Sequence, residues 1–215
     1  DLVVLPGSKA TIADLMFVRQ QGWDIDIAAH LRRGGWLLGL CGGFQMLGNS
    51  VRDPLGIEGT PGEEPGLHLM DMDTVLDNRK QLGACTGTHC QSGEPVTGYE
   101  MHIGRTSGPA TNSPMLVLDG RPDGAISKDG KTMGCYVHGL FSADRFRHAF
   151  LNSIRQRHAS GLAYELQIEN TLDELAVHLE ANLDLDTIGE VAEQRTSLTQ
   201  PSTAPTSSVR AARRQ

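Results

Sequence analysis

The chain has 215 residues, of which 39% are hydrophobic, with 25 glycines and 10 prolines, and this suits one sizeable globular domain with or without a tail. The net charge of −7 argues against a nucleic-acid partner, and no apolar run approaches the roughly 18 residues that a membrane span needs. Four cysteines are too few for a disulfide framework, so we expect reduced thiols in a cytoplasmic protein.

The first fifty residues alternate between strand and helix patterns. The apolar run 2–5 is a strand candidate stopped by Pro6-Gly7, and two helical patterns follow, the first placed for capping by Thr11 and the second ended by Gly34-Gly35. The apolar run 36–40 leads directly into a short helical pattern. This alternation predicts a mostly parallel sheet flanked by helices.

The middle of the chain, 53–115, is rich in loops. Short strand patterns occur at four places: 67–76, 96–103, 115–118 and 132–137. Asp144 is placed to cap a helix, and Thr171 with Glu174 fits a capping box.

From about residue 194, Ser, Thr, Pro, Ala and Arg dominate, and large apolar residues nearly vanish. Such a segment buries too little surface to offset its ordering entropy. We therefore expect one domain over 1–193 and a disordered tail over 194–215.

The segment Gly39-Leu40-Cys41-Gly42-Gly43 fits the Gly-x-nucleophile-x-Gly pattern of a nucleophile elbow. The pattern predicts that the Cys41 thiol points into solvent at the carboxyl end of the sheet, where a helix N-terminus favours the thiolate. The N–H of Gly42 is then free to donate to an oxyanion. The alternative is a buried structural cysteine between a strand and a helix.

A thiol nucleophile needs a base, and His138 is the best placed of the eight histidines. It follows the strand pattern 132–137 and would lie beside Cys41 if the two strands are parallel neighbours. The alternative is a structural histidine at a strand end. A carboxylate usually orients such a histidine; no acid follows His138 directly, although Glu100 or Asp144 could approach it in space.

Cys85, His89 and Cys90 raise the question of a zinc site. A structural zinc site needs four ligands, usually in spaced pairs. Cys135 would complete the set only by chance of folding, so we expect no metal.

Four further blocks stand out: LPGSK with TIADL (5–15), LCGGFQMLG (40–48), GYEMHIGRT (98–106) and GCYVHGLF (134–141). In their order and spacing, over roughly residues 1–183, they closely resemble the C-terminal glutamine amidotransferase domain of cobyric acid synthase. The resemblance implies the α/β fold of class I glutamine amidotransferases, with a flavodoxin-like architecture.

The resemblance also implies the chemistry. Cys41 would attack the side-chain amide of L-glutamine and release ammonia, while His138 relays protons. Leu140 stands where many class I enzymes carry Glu, so a Cys–His dyad is expected. The residues implied for the oxyanion and substrate site are Gly7, Gly42, Gly43, Phe44, Gln45, Glu100 and His102.

In the family's full enzyme, an N-terminal synthetase domain uses ATP and Mg to activate carboxylates of the corrinoid adenosylcobyrinic acid a,c-diamide, and ammonia amidates four of them. This chain carries no Gly-x-x-x-x-Gly-Lys-Ser/Thr motif. We therefore expect the synthetase domain to be absent and no cofactor in this fragment. The resemblance also implies that the first strand of the amidotransferase domain is absent.

Two alternatives stay open. One is the amidotransferase domain of a related synthase, acting on cobyrinic acid or lipid II, against which the block 98–106 argues. The other is a non-catalytic binding module with the same fold.

Overall fold

The computed structural model describes residues 1–156 and 163–198. The α-helices in these ranges are α1 (Thr11–Gln20), α2 (Trp23–Arg32), α3 (Gly42–Met46), α4 (Asp144–Ile154), α5 (Tyr164–Asn182) and α6 (Leu185–Leu198). The first strands are β1 (Leu2–Leu5), β2 (Trp36–Leu40), β3 (Ser50–Asp53), β4 (Gly62–Pro65), β5 (Asp73–Val75), β6 (Gln81–His89) and β7 (Pro95–His102). They are followed by β8 (Arg105–Ser107), β9 (Leu116–Leu118), β10 (Arg121–Asp123), β11 (Ala125–Ile126), β12 (Thr132–Cys135) and β13 (Val137–His138).

The central sheet has the strand order β1-β2-β12-β11. Strands β1, β2 and β12 are parallel, and β11 is antiparallel. Within β2, Leu37 packs with α1 and α2 on one face of the sheet, while Leu38 packs with α4 on the other. Burial of each such leucine stabilises the fold by roughly 1.5–3 kcal/mol. The predicted sheet covered by helices is confirmed, and it explains the uninterrupted apolar run of β2.

Two further sheets are built mainly from the segment that the sequence predicted to be rich in loops. One is antiparallel with the order β10-β9-β6-β7-β13, and the other is mixed with the order β4-β3-β5-β8. The predicted strand at 67–76 is only Asp73–Val75 in the structure, and the nine-residue β6 was missed. Only Cys85 and His89 of β6 are fully buried, so the strand has no hydrophobic alternation to reveal it.

The predicted strand 132–137 is interrupted at Tyr136. Residues up to Cys135 belong to the central sheet, whereas Val137 and His138 pair with β7 of the antiparallel sheet. The chain thus passes from one sheet to the other just before His138.

The predicted side-chain caps are wrong. Ala10 and Ala143 occupy the N-cap positions, and Thr11 and Asp144 are already helical. Thr171 lies inside α5, where its hydroxyl donates to the carbonyl of Gln167 at 2.9 Å.

At α1 a distant carboxylate takes over the capping role. Glu58 accepts bonds from the backbone N–H and the hydroxyl of Thr11, at 2.5 Å and 3.1 Å. The loop that carries Glu58 therefore holds the start of the helix that follows Pro6-Gly7.

Strand β1 forms one edge of the central sheet. A groove of about 540 Å³ runs beside it, and its lining includes the exposed side chains of Val4, Phe17 and Trp23. This is the edge to which an additional strand could pair. The absent first strand stays a prediction.

The chain divides into two compact units, Asp1–Glu165 and a second that begins at Leu166. Helix α6 continues to Leu198, past the predicted start of the tail at residue 194. Residues 199–215 lie outside the described part, so the disordered tail stays a prediction, as does the single domain over 1–193. No helix in the described part is both long and apolar enough to cross a membrane.

Candidate active site

Cys41 occupies the turn between β2 and α3 in a conformation that side-chain-bearing residues rarely adopt, with φ 52° and ψ −111°. Its neighbours have no room for a side chain. A Cβ added to Gly39 would lie 2.6 Å from the carbonyl oxygen of Gly43, and one added to Gly43 would lie 2.1 Å from that of Leu5. The tight strand-to-helix turn expected from the sequence is present.

The Cys41 thiol is covered rather than exposed, since only 5% of the residue is accessible, and its Sγ donates to the carbonyl of Met101 at 3.5 Å. Burial raises the pKa of the Cys41 thiol; a hydrogen bond from the Gly42 N–H opposes this, and the carboxylates of Glu58 and Asp123 raise it further. The prediction that the thiol points into solvent is therefore wrong, and burial opposes the thiolate that the helix N-terminus was expected to favour. Desolvation outweighs the N-terminus of the five-residue helix α3.

Gly7 lies against the side chains of both His138 and Cys41. A Cβ added to Gly7 would lie 2.8 Å from Cε1 and 3.7 Å from Nδ1 of His138, and 3.6 Å from Cβ of Cys41. Parallel pairing of β12 with β2 brings Gly134 opposite Gly39 and Cys135 opposite Leu40. This pairing brings the chain before His138 beside the Cys41 turn, as the sequence predicted.

No carboxylate hydrogen-bonds to His138 among the described residues, and its Nε2 is buried without a partner there. Asp144 is engaged by the guanidinium of Arg147 and by the backbone N–H of Tyr164. The face of the imidazole instead stacks on the ring of Tyr99, with centroids 5.2 Å apart.

Three glycines near Cys41 carry backbone N–H groups that were expected to serve the site. Gly7 precedes α1, and its N–H has no acceptor among the described residues. Gly42 packs against Ser8, because a Cβ there would lie 2.8 Å from the Ser8 Cβ. The N–H of Gly43 donates to the carbonyl of Pro6 at 3.0 Å. Gly43 therefore holds the loop in place, and the oxyanion roles expected for Gly7 and Gly42 stay predictions.

Two of the residues expected to bind substrate have side chains used within the protein. Phe44 is buried and packs edge-on against Tyr136 with ring centroids 5.3 Å apart. The Gln45 amide donates to the carbonyl of Ile103 at 3.0 Å and to the Tyr136 hydroxyl at 3.3 Å, and it accepts from Thr11 at 3.2 Å. Their roles toward substrate stay predictions.

Glu100 and His102 share one face of β7, as their spacing predicted. Glu100 is 3% exposed and forms a two-point ion pair with the guanidinium of Arg121. His102 Nε2 lies 3.7 Å from Glu100 Oε1, and the imidazole stacks on Tyr136 at 3.8 Å. Burial lowers the pKa of His102, and Glu100 opposes that shift. This face is a buried charged network beside the site; the predicted substrate roles stay predictions.

The possible zinc ligands do not converge. Cys85 and His89 are buried in β6, Cys90 is exposed, and His89 Nδ1 lies 2.9 Å from the Ser92 hydroxyl. Among the described residues, no group of three or more His, Cys, Asp or Glu side chains could hold a metal ion.

The sequence did not reveal two residues that act on the Cys41 thiol, Met101 and Asp123. Met101 contributes only its backbone carbonyl, which no sequence pattern reveals. Asp123 belongs to an Arg-Pro-Asp-Gly segment that is typical of an exposed turn, yet it is 8% exposed and lies close enough to Cys41 to raise the thiol pKa.

Residues 1–146 match the model of the CobB/CobQ-like glutamine amidotransferase domain. The cobyric acid synthase of Cereibacter sphaeroides is 55% identical over 184 residues, and that of Methylorubrum populi is 58% identical over 188 residues. Each alignment covers 86% of this chain, and the chain spans 38% of the length of each relative.

Solved structures with low sequence identity share the fold. A crystal structure of a glutamine amidotransferase superposes with a TM-score of 0.52 at 17% identity, covering 71% of this chain and 78% of its own. The structure of PurLQS from Thermotoga maritima superposes with a TM-score of 0.51 at 16% identity, covering 72% and 80%.

Proposed function

Because the chain belongs to the CobB/CobQ-like glutamine amidotransferase family, we propose that it hydrolyses L-glutamine at Cys41 and supplies ammonia to the remainder of a cobyric acid synthase. The observation that carries this proposal is that the Cys41 side chain and the His138 imidazole both lie within 4 Å of a Cβ position on Gly7. The four cysteines are unpaired, which supports a reducing compartment, and we propose the cytoplasm.

The first step forms a bond between Cys41 Sγ and the side-chain amide carbon of glutamine. Since burial raises the pKa of this thiol, the sulfur begins protonated at neutral pH. His138 therefore takes the proton as the sulfur attacks, instead of acting beside a preformed thiolate. The amide oxygen becomes an oxyanion, and we assign the N–H groups of Gly7 and Gly42 as its donors.

Collapse of that intermediate breaks the carbon–nitrogen bond. The proton held by His138 passes to the leaving nitrogen, so ammonia departs and a glutamyl thioester remains on Cys41. Water then attacks the thioester, His138 accepts its proton, and glutamate leaves as the thiol regains a proton. We propose a Cys–His dyad, because the side chains of Glu100 and Asp144 are engaged by arginines.

The proposed acceptor chemistry belongs to a larger enzyme. The matched relatives are named cobyric acid synthases, and the chain spans 38% of their length. We propose that an N-terminal synthetase domain uses ATP and Mg to activate carboxylates of adenosylcobyrinic acid a,c-diamide, and that ammonia from this domain amidates four of them. The amidotransferase part itself would need no cofactor.

The test is glutamate release from glutamine, measured for the chain and for Cys41→Ala with glutamate dehydrogenase as the coupling enzyme. Each protein is assayed alone and with the synthetase portion of a relative added in trans. Cys85→Ala is the matched control, because Cys85 is also buried but lies outside the Cys41 turn. We expect release that only Cys41→Ala abolishes. No release in either condition would overturn the proposal in favour of a non-catalytic module.

A further inference from the structure

Tyr99 lies directly opposite His138 where β7 pairs with β13. Their rings are nearly parallel, with centroids 5.2 Å apart and an interplanar angle of 12°. Rings at this separation and angle attract each other in an offset stack. One face of the candidate base is thus covered by a cross-strand aromatic side chain.

The backbone around this pair fixes the approach of the two strands. A Cβ added to Gly98 would lie 2.2 Å from the carbonyl oxygen of His138, so β7 passes β13 too closely for any side chain at that position. Gly139 follows His138 with φ +73°, a conformation that glycine adopts without strain. The stack of Tyr99 on His138 is therefore set by strand pairing and not by a flexible loop.

The imidazole needs such support because, among the described residues, its Nε2 has no hydrogen-bond partner. Two carboxylates could have approached His138 on the sequence alone, Glu100 and Asp144. They form ion pairs with Arg121 and Arg147 instead. In a triad, a carboxylate on the second ring nitrogen holds the histidine in orientation. Here the ring is confined by Tyr99 on its face and by Gly7 at its Cε1 edge.

We propose that Tyr99 is the positioning residue of the His138 base and takes the orienting role that a carboxylate has in a triad. This inference rests on the proposed glutaminase function. The aromatic ring performs the role and the hydroxyl is dispensable, since stacking uses only the ring face. Tyr99 is 43% exposed, so its ring is not needed to fill the core, and its removal should affect catalysis more than folding.

The experiment compares Tyr99→Leu, Tyr99→Phe and Leu82→Ala in the glutamate-release assay, under the condition in which the wild-type chain is active. Leu82 is an exposed apolar residue on the neighbouring strand β6, opposite Met101, and serves as the matched control. We expect Tyr99→Leu to lower kcat about tenfold or more with little change in KM. Tyr99→Phe and Leu82→Ala should stay within about twofold of wild type, and urea unfolding should show that all variants are folded.

A second measurement reports the stack without using activity. In protein labelled with 13C-histidine, the Hε1 signal of His138, assigned with His138→Asn, should move in Tyr99→Leu and remain near its wild-type position in Tyr99→Phe. Wild-type kcat in Tyr99→Leu would overturn this inference alone, as would a Tyr99→Phe variant as slow as Tyr99→Leu. A wild-type chain without Cys41-dependent release would overturn the proposed function and this inference together.

Discussion

The backbone N–H of Tyr136 donates a hydrogen bond of 3.1 Å to the buried carboxylate of Asp123. Tyr136 is the residue at which the chain leaves the central sheet for the antiparallel sheet, two positions before His138. The bond satisfies the Tyr136 N–H at the point where the chain passes between the two sheets. A carboxylate hidden in β10 therefore holds the backbone that places the candidate base.

Asp123→Asn should change the pH dependence of stability. Burial raises the pKa of Asp123 from 3.8 to about 6. The folded state therefore binds more protons than the unfolded state between about pH 4 and 6, and this residue's contribution to the free energy of unfolding falls as pH rises through that window. Asparagine keeps an oxygen for the Tyr136 N–H and removes the charge, so we expect Asp123→Asn to be more stable at pH 7 by about 1–3 kcal/mol.

Urea unfolding of wild type and Asp123→Asn at a series of pH values measures this. Asp119→Asn is the control: Asp119 is exposed in the turn before β10, and its variant should keep the wild-type trend. Parallel stability curves for wild type and Asp123→Asn would show that burial does not shift the titration of Asp123.

Gly7→Ala should impair catalysis while leaving the fold intact. The added Cβ would lie 2.8 Å from Cε1 of His138, so the imidazole must move, and a displacement near 1 Å can cost about 100-fold in rate. Gly7 is exposed and its φ is not positive, so the free energy of unfolding should change by less than about 1 kcal/mol. The readouts are kcat for glutamate release and urea unfolding.

Gly83→Ala is the matched substitution for Gly7→Ala, because a Cβ at Gly83 meets no atom within 4 Å. It should retain wild-type kcat. A Gly7→Ala variant with wild-type kcat would mean that the imidazole does not need the position seen beside Gly7.

In the Glu100–Arg121 pair, removing Arg121 should lower the free energy of unfolding more than removing Glu100. Arg121→Met leaves the Glu100 carboxylate, which is 4% exposed, without its cation, and a stranded buried charge costs about 3–5 kcal/mol. Glu100→Gln leaves an Arg121 side chain that is 47% exposed and can be hydrated, so we expect a loss of about 1 kcal/mol. Urea unfolding at pH 7 compares them. Equal losses would indicate that Glu100 reaches water when Arg121 is removed.

Iodoacetamide should modify Cys90 before Cys41 in the folded chain at neutral pH. Desolvation raises the pKa of both thiols, so accessibility decides the order: the Cys41 sulfur is covered, whereas Cys90 is exposed. Peptide mass spectrometry over time measures the order. Cys90→Ala should remove the early label, and unfolding in urea should make all four cysteines reactive. Early labelling of Cys41 would mean that the thiolate forms in the resting protein.

The sequence alone determined the Cys41 turn, because backbone sterics act over a few residues and only glycine fits at Gly39 and Gly43. It also predicted the central parallel sheet, since strands buried on both faces require uninterrupted apolar runs such as that of β2. The four blocks identified the family, which the matching family model confirms.

The tertiary structure decided what depends on distant parts of the chain. The cover on the Cys41 thiol comes from Met101, sixty residues later, and a desolvated pKa depends on whatever surrounds the sulfur. The stack of Tyr99 on His138 depends on the register between β7 and β13. That register is established only when the whole sheet assembles. The burial of Asp123 follows from the same assembly and could not be predicted from a segment typical of an exposed turn.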